Sequence, residues 1–104
     1  MREKKYQICL SAPLGERSGT MIMCESNGRV DGCLKVMNRK NMFSGTISAD
    51  RQIELSGVLQ TLISTVRYTA TGTISGQRIL LNLKTESGAY YPVSGEELKD
   101  DKIL

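Results

Sequence analysis

One phrase recurs three times along this chain. "GTMIMCESNGRV" begins at Gly19, "GTISADRQIEL" at Gly45 and "GTISGQRILL" at Gly72, so the starts lie 26 and 27 residues apart. Each copy passes through a short polar turn to an arginine (Arg29, Arg51, Arg78) and, within two residues, to an apolar side chain. A period of this length holds two strands and two turns, so the repeating unit is a β-hairpin. A βαβ unit needs about 30 residues or more with its helix and does not fit.

The turns agree with hairpins. Asn27-Gly28 is the dipeptide that best accepts positive φ in a two-residue turn, and "SADRQ" and "SGQR" stand at the same point of the other copies. With "MNRKNM" near 38–41 and Ser87-Gly88 as further connections, the spacing predicts eight strands, at about 4–12, 18–26, 29–37, 41–49, 52–58, 65–75, 78–86 and 89–94. Apolar residues alternate along them. Tyr6, Ile8, Leu10 and Ala12 share one face of the first strand, Val30, Leu34 and Val36 of the third, Ile53 and Leu55 of the fifth, and Val66, Tyr68, Ala70 and Ile74 of the sixth. Threonines on the opposite face suit a solvated pleated surface. The stretch 57–65, "GVLQTLIST", fits a continued strand, a bent connection or one helical turn equally well.

Gly32, Gly45, Gly57 and Gly72 fall on the parity of the apolar residues, and Gly19 joins them if Met21 and Met23 point inward. Glycine inside a strand weakens it unless the backbone must bend there or be approached closely. Repeated on one face of successive strands, it lets a sheet coil and shut. The fold expected is therefore all-β: an eight-stranded antiparallel up-and-down barrel built from repeated hairpins, with a rolled sandwich and a half-open barrel as alternatives. A chain of 104 residues makes a single domain of this kind, with residues 95–104 as a C-terminal tail.

"SAPLGERSGTMIM", "MFSGTIS" and "YTATGTISG" resemble small bacterial proteins of unassigned function with a lipocalin-like or avidin-like meander. The resemblance runs from about residue 5 to 95 and implies a fold rather than an activity. There is no tryptophan, so the glycine-X-tryptophan mark of lipocalins and the tryptophan-lined pocket of avidins are both absent. No ligand residue carries over.

The composition argues against catalysis. Histidine is absent, which removes the commonest general base, the usual partner of a Ser or Cys nucleophile and the commonest metal ligand. No P-loop, dinucleotide fingerprint or metal-ligand spacing occurs, so no catalytic residue, cofactor or metal is expected. The acidic residues fall mostly on outward parity or in the tail (Glu96, Glu97, Asp100, Asp101), where solvation accounts for them. Cys9, Cys24 and Cys33 are odd in number and far apart, which predicts buried free thiols and, with no secretory h-region in "YQICLSA", a cytoplasmic protein. No apolar run is long enough for a transmembrane helix, and no membrane partner is expected.

Three functional expectations remain. An eight-stranded barrel is just wide enough to fill itself or to hold one small ligand. Tyr6, Phe43, Tyr68 and Tyr91 are the candidate ligand-binding residues for a small apolar molecule, against which stands the lack of any inward polar cluster to orient it. Outward apolar residues (Ile22, Met37, Met42, Val58, Leu80, Tyr90) would mark a homodimer surface if they cluster. Single-stranded nucleic acid is the lesser expectation. "REKK" at 2–5 and "NRK" at 38–40 are basic, but the net charge is only +3 and aromatic residues are 5% of the chain.

Overall fold

Period-two alternation in the sequence becomes period-two burial in the structure. β7 shows it most simply: Ile79, Leu81, Leu83 and Thr85 are buried while Arg78, Leu80, Asn82 and Lys84 are exposed. The computed structural model describes residues 2–12, 15–36, 38–60 and 65–98. The strands are β1 (Arg2–Ala12), β2 (Gly15–Ser26), β3 (Arg29–Val36), β4 (Arg39–Ile47), β5 (Gln52–Gln60), β6 (Thr65–Ser75), β7 (Arg78–Thr85) and β8 (Tyr90–Glu97). Each pairs antiparallel with its chain neighbours, and β8 returns to β1, with Ile8 opposite Gly95 and Leu10 opposite Val93. The barrel is closed. Closure removes the open edges along which a rolled sandwich or half-open barrel would pair with other chains.

β4 ends at Ile47, two residues earlier than expected, while other strands run longer because pairing partners extend them past their apolar residues. β2 starts at Gly15, opposite Ala12, and β5 continues to Gln60, opposite Thr65. β8 extends through Gly95–Glu97, which the polar composition assigns to the tail; these residues pair on one side with Tyr6–Ile8 and, through Gly95 and Glu96, with β7 on the other. Residues 57–60 are therefore strand. Residues 61–64, Met37, Asp100 and Asp101 lie outside the described residues. Of the three thiols, all free, only Cys33 is buried; Cys9 and Cys24 stand half-buried on outward positions, which corrects the expectation that all three are buried.

The β2–β3 and β6–β7 turns take the conformations their residues favour. Asn27 and Gly28 both have positive φ (54° and 80°), and Gly76 has φ 61° at the first central position of its turn. In the β4–β5 and β7–β8 connections a four-residue turn closes through an N–H donated by its last residue, Arg51 to the Ser48 carbonyl (3.0 Å) and Gly88 to the Thr85 carbonyl (2.9 Å). Near the β3–β4 turn the β4–β5 ladder ends at Phe43 and Gly57, and buried Asn41 continues it: its Oδ1 accepts the Gln60 N–H at 2.9 Å and its Nδ2 donates to the Leu34 carbonyl at 3.1 Å.

The inward glycines sit where neighbouring backbones approach most closely. A Cβ on Gly45 would overlap the Glu54 carbonyl on β5, and one on Gly72 the Leu80 carbonyl on β7. Gly19 and Gly32 meet cross-strand carbonyls in the same way, while Gly57 meets the Met42 carbonyl at 2.7 Å and Gly95 the Ile8 methyl at 2.7 Å and the Gln7 carbonyl at 2.8 Å. At Gly45 and Gly72 the obstruction is backbone, which cannot rotate aside as a side chain can. Gly45→Ala and Gly72→Ala are thus expected to lose several kcal/mol, in the range of severe core substitutions. Gly76→Ala, whose Cβ would meet open space, should lose only about 1 kcal/mol through its positive φ. Urea unfolding of the three variants checks the order; equal losses would contradict it.

Candidate functional site

Among the described residues the centre of the barrel is filled. Phe43 and Tyr68, two of the four expected ligand residues, stand at one level, each opposite Gly57 on β5. They share the centre with Met21, Leu34, Leu55 and Ala70, among others, and the void left between them measures about 10 Å³. That is the scale of one water, against about 300 Å³ or more for a small-molecule pocket. Tyr91 is partly buried against the same core. Tyr6 is not gathered with the other three: it lies toward the opposite end, paired with Met21 and Glu97.

That opposite end carries the polar chemistry. Inward parity along β1 runs outward from Leu10 through Ile8 and Tyr6 to Lys4; along β2 from Met21 and Met23 to Glu25; along β8 from Val93 and Gly95 to Glu97. Where the core stops, these strands keep pointing side chains inward, and those side chains are charged. Arg51 reaches in from the β4–β5 turn and places Nη1 at 3.3 Å from Glu25 Oε2, while Lys4 Nζ lies 3.9 Å from Glu97 Oε1. All four side chains are between 18% and 35% exposed. Glu97, expected in the tail, is therefore a strand residue of inward parity, and a polar cluster faces the barrel's inside where none was expected. The signal was legible as parity continuing past the last apolar residue.

Beneath this ring lies Tyr6, fully buried, with a hydroxyl that has no hydrogen-bond partner among the described residues. Burial raises the Tyr6 pKa above the ordinary tyrosine value, the Glu97 carboxylate pushes it the same way, and Arg51 opposes them. The phenol is therefore neutral at physiological pH and offers both a donor and an acceptor. Arg51 is held at φ 66°, a left-handed conformation uncommon outside glycine. The corresponding position of the β7–β8 turn is Gly88. The cluster thus combines an unpaired buried hydroxyl, two cations, two carboxylates and one backbone residue in an unfavourable conformation, a kind of strain that concentrates at functional sites. Among the described residues no three carboxylate or thiol side chains converge as metal ligands.

Comparison with known proteins adds fold and no family. No model of a protein family matches the chain, and no curated protein matches it. Among solved structures it is similar to a redesigned β-barrel, b11L5F_LGL, with a TM-score of 0.72 and 12% identity over 91% of this chain and 90% of that one. It is also similar to a redesigned β-barrel, mFAP1, bound to DFHBI, with a TM-score of 0.63 and 14% identity over 91% of this chain and 92% of that one. At such identities the likeness is one of fold alone.

The two buried phenols give the barrel an alkaline limit. Burial pushes Tyr68 up to about 12 and Tyr6 in the same direction, whereas unfolded tyrosines ionise near pH 10. Between those values the unfolded chain holds fewer protons than the folded one, so stability falls as pH rises; below pH 10 the contribution is complete. Tyr68 alone accounts for about 3 kcal/mol across that window, at about 1.4 kcal/mol per pKa unit. Urea unfolding at pH 9 and pH values up to about 12 should show this loss, and Tyr68→Phe should flatten it. An unchanged slope in the variant would contradict the assignment.

Proposed function

We propose that this protein is a non-enzymatic binder of a small polar molecule, taken at the charged end of the barrel rather than among the core residues. The carrying observation is the Tyr6 hydroxyl, buried below the Glu25–Arg51 and Lys4–Glu97 pairs and without a hydrogen-bond partner among the described residues. Leaving a buried polar group unsatisfied costs about 1–3 kcal/mol, and folded proteins retain few such groups. A ligand that hydrogen-bonds the phenol recovers that cost on binding.

The ring of charges narrows the ligand class. Among the described residues two cations face two carboxylates, so an ion of either sign meets as much repulsion as attraction from them. A neutral polar or zwitterionic molecule meets partners for both its donors and its acceptors. Access asks little energy. The ion-pair distances of 3.3 and 3.9 Å exceed the roughly 2.7–2.9 Å of strong charge-assisted bonds, and partly exposed pairs of this kind are worth about 1 kcal/mol or less. A ligand can part them. A similar fold holds a small molecule in the mFAP1 barrel bound to DFHBI, which supports ligand binding as a use for this architecture. An apolar guest between Phe43 and Tyr68 would instead have to displace side chains from a void of about 10 Å³.

Thermal shift tests the reading, with free amino acids, polyols and DFHBI as probes. Occupancy at a hundredfold excess over Kd stabilises by about 2.7 kcal/mol, a rise of several degrees or more for a domain of this size. Tyr6→Phe and Arg51→Ala should abolish the response to the active compound, while Tyr6→Phe without ligand should be at least as stable as the parent chain. No response to any probe, or a response surviving both substitutions, would refute the proposal.

A further inference from the structure

The outer surface carries an apolar band that the register, rather than the sequence, assembles. Ile22 on β2 is opposite Cys33 on β3, and Cys33 is opposite Met42 on β4. The β4–β5 register, one step beyond Phe43 and Gly57, sets Val58 alongside Met42. Four neighbouring strands thus bring these residues into one outer row, in which Ile22 is half-buried, Cys33 is buried at 7% exposure and Met42 and Val58 stand out to solvent. Met42 is 66% exposed and Val58 38%. The row is bounded by Lys5 opposite Ile22 and by Arg67 opposite Val58. Among the described strand residues, the other exposed large apolar side chains, Leu80 and Tyr90, stand apart on β7 and β8, Tyr90 lying under the Lys84 ammonium at 5.5 Å.

Charge on the two sides of the row differs in sign. Along β3, Asp31 lies two residues from Cys33 toward one end of the barrel and Lys35 two residues toward the other, both exposed. Lys40 sits beside Lys35, and Ser44 beside Asp31. We propose that this face is the interface of a symmetric homodimer whose two-fold axis runs along the row. Such an axis stacks Met42 on Met42 and carries each position across the row, about 7 Å away at two residues of strand rise, onto the opposite side of the other copy. Asp31 of each copy then faces Lys35 of the other. A two-fold axis at right angles to the row would instead set Asp31 against Asp31 and the lysine pair against the lysine pair. The apolar row supplies the contact, and the asymmetry of charge across it selects the second copy and its orientation.

Four strands about 4.8 Å apart span a patch smaller than the roughly 800 Å² per partner of a standard interface. The dimer is accordingly in the class of small, reversible contacts that dissociate on dilution.

Sedimentation equilibrium of the full chain from micromolar to millimolar concentration tests this. The parent chain should fit a monomer–dimer equilibrium that weakens with salt. Met42→Lys, at a solvent-exposed position and checked for folding by circular dichroism, should weaken it at least tenfold, and Asp31→Lys should do likewise. The double exchange Asp31→Lys with Lys35→Asp should return the affinity to near the parent value, because the exchanged charges again face each other across the axis. A chain that is monomeric at millimolar concentration, a dimer indifferent to Met42→Lys, or a double exchange as weak as Asp31→Lys alone would each overturn the proposal. Tyr6→Phe should leave the association unchanged, which separates this surface from the charged end.

Discussion

Backbone approaching backbone across a strand pair, close enough to leave no room for a Cβ, is the contact on which this barrel depends. Where Gly45 lies against the Glu54 carbonyl and Gly72 against the Leu80 carbonyl, the sheet turns inward more sharply than side chains on both strands would allow. Repetition of that contact on β2–β6 and again on β8 brings the last strand round to the first. Closure then decides the interior. An eight-stranded barrel is narrow, and residues such as Met21, Phe43, Leu55 and Tyr68 are large enough to fill it to a void of one water's size.

Much of this was written in the residues. The hairpin period, the alternation along β1, β3, β5 and β6, the Asn27-Gly28 turn and the parity of the inward glycines together specify eight strands and a reason for them to curl. What was missed has physical causes. Glu25 and Glu97 are charged, and charge is ordinarily a sign of the solvent face; at the end of a barrel, inward side chains are also near water, so the rule loses its force there. Gly95–Glu97 look like tail by composition, and only pairing with β1 and β7 makes them strand. The left-handed conformation of Arg51 has no signature at all, because its turn would accept a glycine, as the β7–β8 turn does at Gly88.

A filled core moves function to the barrel's boundaries. One boundary is the end where Tyr6 lies beneath two ion pairs; the other is the outer face where Ile22, Cys33, Met42 and Val58 line up. Both arise from the same register. Pleating sends alternate residues in opposite directions, so a strand that packs the core with one set must present the other set outside, and must do something with its inward positions where the core runs out. In this chain those positions became charged at one end and amide-bearing, through Asn41, near the other.

Residue-resolved amide hydrogen exchange of the β1–β8 seam tests closure through glycine most directly, comparing the parent chain with Gly95→Ala. A Cβ at Gly95 would meet the Ile8 Cγ2 methyl at 2.7 Å and the Gln7 carbonyl at 2.8 Å, so the account predicts slow exchange at the seam in the parent, equal to that of the β5–β6 ladder, and a selective loss of protection there in the variant. Seam amides that exchange in the parent as fast as those of an open sheet edge, or a variant whose seam stays as protected as before, would contradict it.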